Sequence, residues 1–177
     1  MQETAALRYS HALFESSREL GKIDSFLSQM KDIAKTFKDH KELFDFFNHP
    51  TIKREEKKKV LEEIFKGMDK EVLSLIMLLI GHNRIHEIGI VYEDLRNTVY
   101  EHKGIKIAYA ITAVPMESEE IEMLREKLSH KYDSKFEVEN LVDLEVLGGV
   151  YLKIGDMVID GSVRGQLERM RKELFNT

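Results

Sequence analysis

The spacing of apolar residues changes near Gly104, and this change constrains the fold more than any other feature of the sequence. Before it, apolar residues recur every three or four positions, as on one face of a helix; the segment Ile23–Phe37 is an example. After it, larger apolar residues alternate with other residues over Ile105–Ala113, as in a strand. The pattern predicts a helical domain over residues 1–103 and a mixed domain over residues 104–177.

The first part carries signals for six helices. Gly21 is suited to end the first helix, because glycine readily adopts the left-handed conformation of a helix C-terminus. Asp69 is suited to cap the fifth helix, which is apolar on almost every side over Val72–Ile80 and is expected at the centre of its bundle. The sixth helix is predicted over residues 84–102, with an inward stripe of Ile88, Val91, Leu95 and Val99.

The second part mixes strands with two helices. Ser118, followed closely by three glutamates, is predicted to cap the first of these helices. Gly155 and Asp156 lie between two short apolar runs, a spacing typical of a tight hairpin. Ser162 is predicted to cap the final helix, whose apolar residues are expected to face inward: Val163, Leu167, Met170 and Leu174. The predicted fold class is α+β: an N-terminal six-helix bundle followed by a small mixed α/β C-terminal domain.

The composition excludes several classes of function. The chain of 177 residues has no cysteine, which excludes disulfide bonds, thiolate metal sites and a cysteine nucleophile. Its net charge of −5 argues against nucleic acid, whose partners usually carry a basic face. No secretory signal is visible, and the longest apolar run, Leu75–Ile80, is far shorter than the ~20 residues that span a membrane. Any association with a membrane is therefore expected to come through a partner protein.

Two histidines four residues apart, His82 and His86, suggest one alternative, a metal-assisted hydrolase. Residues at this spacing share a helix face, and Glu87 is adjacent. A zinc-protease motif has glutamate directly after the first histidine, whereas this chain has Asn83. The mismatch favours two solvated histidines near a helix end, and neither a metal nor a cofactor is predicted.

A lysine-rich stretch suggests a second alternative, an adaptor for nucleic acid. Its basic residues, which alternate with glutamates, are Lys53, Arg54, Lys57, Lys58 and Lys59. Opposite charges at helical spacing pair along a solvated helix face without any ligand. No nucleic-acid partner is therefore predicted.

Glycine and acidic residues near the C-terminus lack the context of an active site. Gly148 and Gly149 precede a predicted strand, whereas phosphate-binding loops follow a strand and open a helix. Asp160 and Ser162 precede a predicted helix, where such side chains accept hydrogen bonds from free backbone N–H groups. These residues are interpreted as structural, and no catalytic residue is predicted.

The first helix has features of a binding surface. Tyr9 and Leu13 lie near Ala12, whose small side chain allows another helix to approach closely. Packing inside the bundle is the simpler interpretation for most of these residues. Taken without any family resemblance, the residues predict an interaction module with no visible active site.

Two motifs add a family resemblance. The segment Gly148–Leu167 contains a glycine pair, a strand, Gly155-Asp156, a second strand ending in Asp160-Gly161-Ser162, and a helix with Leu167. It closely resembles the C-terminal signature of ATP synthase delta subunits, the relatives of mitochondrial oligomycin-sensitivity-conferring protein. The N-terminal run Arg8–Phe14 resembles the Arg-Tyr-Ala-x-Ala-Leu opening of that family, with Ser10 in place of the usual alanine.

The resemblance implies a non-catalytic stator subunit of a rotary F-type ATP synthase, which links the catalytic head to the peripheral stalk and resists rotor torque. Residues 1–103 are then expected to hold the N-terminal helix of an alpha subunit in a groove between the first and fifth helices. The groove residues implied by position are Tyr9, Ala12, Leu13, Leu75, Leu78 and Leu79. Residues 104–177 are expected to engage the b subunits of the peripheral stalk.

The resemblance also implies a location and a copy number. A single copy is expected in the complex, peripheral at the cytoplasmic face of the bacterial inner membrane and held there only through partners. The signature residues are expected to define the fold of the C-terminal domain: Gly148, Gly149, Gly155, Asp156, Asp160, Ser162 and Leu167. The alternative to a stator subunit is a helical interaction module or adaptor of another complex.

Overall fold

The computed structural model describes residues 3–175, and the chain divides into two compact units, residues 1–99 and 100–177. The first unit is built from α1 (Glu3–Glu19), α2 (Ile23–Asp39), α3 (Lys41–Asn48), α4 (Arg54–Ile64), α5 (Lys70–Gly81) and α6 (Ile88–His102). A 3₁₀ turn at Ile85–Glu87 precedes α6, which runs across the division between the units. Within the described residues, the predicted six-helix bundle is confirmed.

The helix α5 lies at the centre of this bundle, as its apolar sequence predicts. It contacts α1, α2 and α4, and its Val72, Ile76 and Leu79 have no exposed surface. The predicted inward stripe of α6 is also buried: Ile88, Val91, Leu95 and Val99. Gly21 has φ +65° at the end of α1, which confirms its predicted role at a helix C-terminus.

The chain after α5 differs from the prediction, which began the sixth helix at residue 84. Asn83 adopts φ +56°, and the Arg84 N–H donates to the Leu79 carbonyl at 2.7 Å, which closes α5 as a Schellman motif. The 3₁₀ turn follows before α6 begins. His82 and His86 therefore lie in different elements, and the shared helix face required by the metal-site alternative does not form.

The second unit contains β1 (Ile105–Thr112), α7 (Ser118–Tyr132), β2 (Lys135–Val142), β3 (Val150–Ile154), β4 (Met157–Asp160) and α8 (Val163–Phe175). The sheet order is β2-β1-β3-β4. The strands β1 and β2 are parallel and joined through α7, whereas β3 pairs antiparallel with both β1 and β4. This unit is the predicted mixed α/β domain, so the α+β fold class is confirmed.

The core of the second unit lies on the sheet face that carries the small residues of β1. Ala108 and Ala110 are fully buried, while the larger residues of the alternating pattern, such as Ile107, are only partly buried. Neighbouring elements fill the space above the alanines with Leu128, Phe136, Val138, Leu152 and Ile154. The small side chains suit the central strand, because larger neighbours on both sides and α7 already supply the packing volume.

Three hydrogen bonds fix the connection between β1 and α7. Asn140 of β2 donates to the Ala110 carbonyl at 2.9 Å and accepts from the Met116 N–H at 2.9 Å. The side chain of Glu120 accepts from the Glu117 N–H at 2.9 Å, and Glu117 occupies the cap position of α7. The prediction that Ser118 caps this helix was therefore wrong by one residue; Ser118 is the first helical residue.

Candidate functional site

The six residues predicted to bind a partner helix lie on α1 and α5, which pack against each other. We call this set the α1/α5 face; it comprises Tyr9, Ala12, Leu13, Leu75, Leu78 and Leu79. Leu78 is 46% exposed, Ala12 is exposed and Tyr9 is partly buried. Leu13 and Leu75 are buried, and Leu79 has no exposed surface. Three residues of the α1/α5 face are thus available to a partner, and the other three support them from within the bundle.

Leu78 also borders a hollow of about 810 Å³ between α4 and α5. Leu73 and Met77 contribute to its apolar lining, and Lys58 and Glu62 form an exposed ion pair at 3.8 Å on its rim. The side chain of Leu78 is therefore accessible on a helix whose other faces are largely buried.

A polar cluster fixes the N-terminal end of α5 against α2. The carboxylate of Asp69 accepts hydrogen bonds from Lys22 at 2.5 Å and from Gln29 at 2.8 Å. The hydrogen bond from Lys22 lowers the pKa of Asp69, and Asp69 in turn raises the pKa of Lys22. Asp69 occupies the predicted cap position of α5, but its side chain makes no capping hydrogen bond to that helix. It holds α5 in place through α2 instead.

The glycine pair of the signature lies where two backbone segments meet. Gly149 has φ +74°, and a Cβ at this position would lie 2.4 Å from the Gly161 carbonyl oxygen. The Val163 N–H donates to the Gly148 carbonyl at 3.0 Å, and the Gly161 N–H donates to Val150 at 3.1 Å. Only glycine satisfies both the backbone conformation and the close approach at Gly149.

Asp160 and Ser162 form the start of α8. The Ser162 hydroxyl donates to the Asp160 carboxylate at 2.6 Å and accepts from the Gly165 N–H at 3.0 Å. The hydroxyl and N–H of Ser162 together lower the pKa of Asp160. Ser162 is 4% exposed, and its hydroxyl is used in the helix cap, as predicted.

The sequence analysis assigns no role to Gly165. A glycine inside a predicted helix is itself a signal that another group packs closely at that position. A Cβ at Gly165 would lie 2.0 Å from an Asp160 carboxylate oxygen. The signature also contains Gly155, which has φ +56° in the predicted hairpin turn beside the exposed Asp156. The conformation of Gly155 suits the turn, and the missing side chain of Gly165 leaves room for the Asp160 carboxylate.

The final helix carries an outward-facing apolar stripe. The expectation that its residues face inward was wrong: Val163, Leu167 and Met170 are 42%, 55% and 59% exposed, and the side chain of Leu174 lies outside the described part of the chain. The helix α8 packs against the turn Leu144–Val146, and Arg164 pairs with Glu145 at 3.2 Å. Leu144 and Leu147, in and next to this turn, are 77% and 66% exposed. We call these five apolar residues the α8 patch.

One lysine of the basic stretch has a structural role. Lys57 is 9% exposed, and its amine donates to the Phe47 carbonyl at 2.6 Å. Phe47 lies in the last turn of α3, where backbone carbonyls lack helical partners. The expected solvated face on α4 therefore excludes Lys57, which joins α4 to α3.

No group of three histidine, aspartate or glutamate side chains that could hold a metal ion occurs among residues 3–175. In the same part of the chain, no helix is both long enough and apolar enough to cross a membrane.

The exposed apolar side chains of both units are typical of a protein that binds other proteins. A family model described as ATP synthase delta (OSCP) subunit matches residues 5–174. The chain belongs to this family, whose members are components of the stator, or peripheral stalk, of F-type ATP synthase.

Individual relatives agree with this assignment. The chain is 33% identical over 173 residues to the ATP synthase subunit delta of Clostridium kluyveri, covering 97% of this chain and 96% of the relative. It is 34% identical over 178 residues to the subunit delta of Lachnoclostridium phytofermentans, covering 99% and 97%. A chain in a cryo-EM structure of the Toxoplasma gondii mitochondrial ATP synthase hexamer has the same fold, with a TM-score of 0.72, 17% identity and 96% coverage of each chain.

Proposed function

We propose that this protein links the alpha subunits of the catalytic head to the b subunits of the peripheral stalk and resists the torque of the rotor. In this proposal the helical part, residues 1–103, binds the head, and residues 104–177 engage the stalk. The protein has no turnover of its own. It is present in one copy and is held at the cytoplasmic face of a bacterial inner membrane only through its partners.

The observation that carries the proposal for the head is the exposure of Leu78 on the α1/α5 face. A large apolar side chain on a central helix, with the small Ala12 exposed on the adjacent helix, suits an amphipathic helix that lies in a groove. Because Leu78 is already about half buried, covering the rest of its side chain contributes about 1 kcal/mol. A stator that resists torque needs to dissociate slowly from the head. A buried apolar contact suits this requirement better than surface charges, which solvent screens and which contribute little binding free energy.

Calorimetric titration of the full chain with a peptide matching the N-terminus of an alpha subunit tests this proposal. We expect saturable one-to-one binding that is lost in Leu78→Asp. The matched control is Ile90→Asp, because Ile90 is 49% exposed on α6 and lies outside the α1/α5 face. Aspartate in the first turn of a helix is also tolerated. Absence of binding by the folded chain would reject the proposed head contact and favour an adaptor of another complex.

The α8 patch supports the proposed contact with the b subunits. Five large apolar side chains are 42–77% exposed around one helix and one turn, an arrangement that marks a binding surface. A C-terminal fragment of b is expected to co-purify with the wild-type chain and to be lost with Leu167→Asp. The control is Met123→Asp on α7, where the methionine is 53% exposed. Equal loss in both variants would show that the α8 patch is not the specific contact.

A further inference from the structure

A second groove on the helical unit lies between α2 and α6 and is separate from the α1/α5 face. Its volume is about 720 Å³. Ala34, Phe44 and Tyr92 are partly buried and form its apolar floor together with the buried Ile88. We call this surface the α2/α6 groove.

The rim of the α2/α6 groove is basic, although the whole chain has a net charge of −5. Lys31, Lys35 and Lys38 are exposed along one side of α2, spaced four and then three residues apart. None of the three has a carboxylate within 4.0 Å among the residues that the structure describes. Two acidic residues also line the groove: Asp39, which is exposed at the end of α2, and Glu93 on the opposite wall, which pairs with Arg96 at 2.8 Å. Lysine and arginine residues still outnumber acidic ones around the groove, so its rim carries an excess of positive charge.

Gly89 keeps the α6 side of the groove open. It lies in the first turn of α6, and a Cβ added there would meet no atom within 4 Å. A larger side chain at this position would project into free space without disturbing the core. A larger side chain substituted for Gly89 would therefore fill part of the groove.

We propose that the α2/α6 groove binds an acidic amphipathic helix of a partner protein. The space between two helices suits the apolar face of a third, which would contact Phe44 and Tyr92. Carboxylates flanking that face would pair with the lysines of α2. Exposed pairs of this kind select the partner and its orientation and weaken as salt increases. This contact is additional to the proposed contact of the α1/α5 face and does not depend on it.

The test uses the full chain and three labelled helical peptides of about 18 residues, long enough to span five turns. The first has a leucine stripe flanked by glutamates, the second has glutamine in place of each glutamate, and the third has lysine. Fluorescence anisotropy is expected to show saturable binding of the glutamate peptide. The glutamine peptide is expected to bind about tenfold more weakly, and the lysine peptide more weakly still.

Matched variants locate the binding. Gly89→Leu and Lys35→Glu are each expected to weaken binding of the glutamate peptide about tenfold or more. Gly81→Ala and Lys59→Glu change a glycine and a lysine outside the groove, and both variants are expected to bind as the wild type does. Far-UV circular dichroism checks that each variant is folded. An unlabelled peptide matching the alpha-subunit N-terminus is expected not to compete.

Several results would overturn the proposal. One is that the glutamate peptide does not bind at millimolar concentration. Another is that the glutamine peptide binds as tightly as the glutamate peptide. A third is that Gly89→Leu and Lys35→Glu leave the affinity for the glutamate peptide unchanged. Competition by the alpha-subunit peptide would assign the probe to the α1/α5 face instead. Binding of a single-stranded oligonucleotide or of anionic vesicles in place of the glutamate peptide would also reject a helical partner.

Discussion

Individual polar side chains attach the ends of helices in both units. Asp69 connects the start of α5 to Lys22 and Gln29, and the Lys57 amine reaches a carbonyl in the last turn of α3. Ser162 closes the first turn of α8. Each contact satisfies a group that would otherwise depend on water, so their loss affects how the helices are held as well as local hydrogen bonding.

The Asp69 cluster predicts a specific dependence of stability on pH. The pKa of Asp69 lies below its ordinary value of 3.8, chiefly because Lys22 donates to its carboxylate. The resulting stabilisation is complete above this ordinary pKa and is lost as the pH falls through the lower folded-state pKa. The urea midpoint of Asp69→Asn is therefore expected to be lower than that of the wild type near neutral pH and to converge with it in acid. A difference that stays constant down to the acid limit would contradict this prediction.

The signature glycine predicts a large effect from a small substitution. Gly149→Ala places a methyl group against the Gly161 carbonyl oxygen in a backbone with φ +74°. We expect the variant to lose about 2 kcal/mol or more of unfolding free energy, measured by urea denaturation. Gly81→Ala is the control, because its Cβ meets no atom within 4 Å. It is expected to be neutral or slightly stabilising, since alanine favours a helix over glycine.

At the scale of the element, α5 and α8 show how similar apolar patterns have different outcomes. The helix α5 is surrounded by α1, α2 and α4, so most of its apolar residues are buried. The helix α8 follows β4 at the edge of the sheet, and its apolar stripe stays exposed. An amphipathic pattern therefore identifies a helix but does not say whether its apolar face is covered by the same chain.

Two adjacent leucines of α5 test this distinction. Leu79→Ala is expected to cost about 2–5 kcal/mol of unfolding free energy, because Leu79 is fully buried. Leu78→Ala is expected to cost about 0.5 kcal/mol or less, because Leu78 is 46% exposed. Urea denaturation of both variants gives the two values. Similar costs would mean that Leu78 packs inside the bundle and is not available to a partner.

At the scale of the whole molecule, each unit has its own hydrophobic core. The core of the first unit includes Phe37, Ile76 and Leu79, and that of the second includes Ala108, Phe136 and Leu152. The division falls between Val99 and Tyr100, inside α6, whereas the sequence pattern changes only at Gly104. The assignment of separate functions to residues 1–103 and 104–177 stays a prediction.

Separate cores predict separate responses to mutation. Ile76→Ala is expected to reduce hydrogen-exchange protection of the helical unit and to leave β1–β3 amides almost unchanged, and Leu152→Ala is expected to do the reverse. Each substitution removes about 2–5 kcal/mol from its own core. Hydrogen exchange followed by mass spectrometry resolves the two units. Equal loss of protection throughout the chain would show that the units unfold as one.

Much of the candidate site could be predicted residue by residue, but the accessibility of its side chains could not. The resemblance selected Leu75, Leu78 and Leu79 together, and only packing showed that Leu78 is the exposed member. Ser162 was identified as a helix cap because capping depends on residues a few positions apart. Lys57 was expected in solvent because its partner, the Phe47 carbonyl, lies ten residues earlier in another helix.

The sequence by itself determined the fold class, the helix and strand periods, the helix ends at Gly21 and Ser162, and the family. These depend on local spacing and on motifs, which are properties of neighbouring residues. Only the tertiary structure decided that the alanines of β1 face the core, that the α8 patch faces outward, and that the α2/α6 groove joins an apolar floor to a basic rim. The physical reason is that burial depends on which distant segments cover a side chain, and that information is absent from the spacing along any one segment.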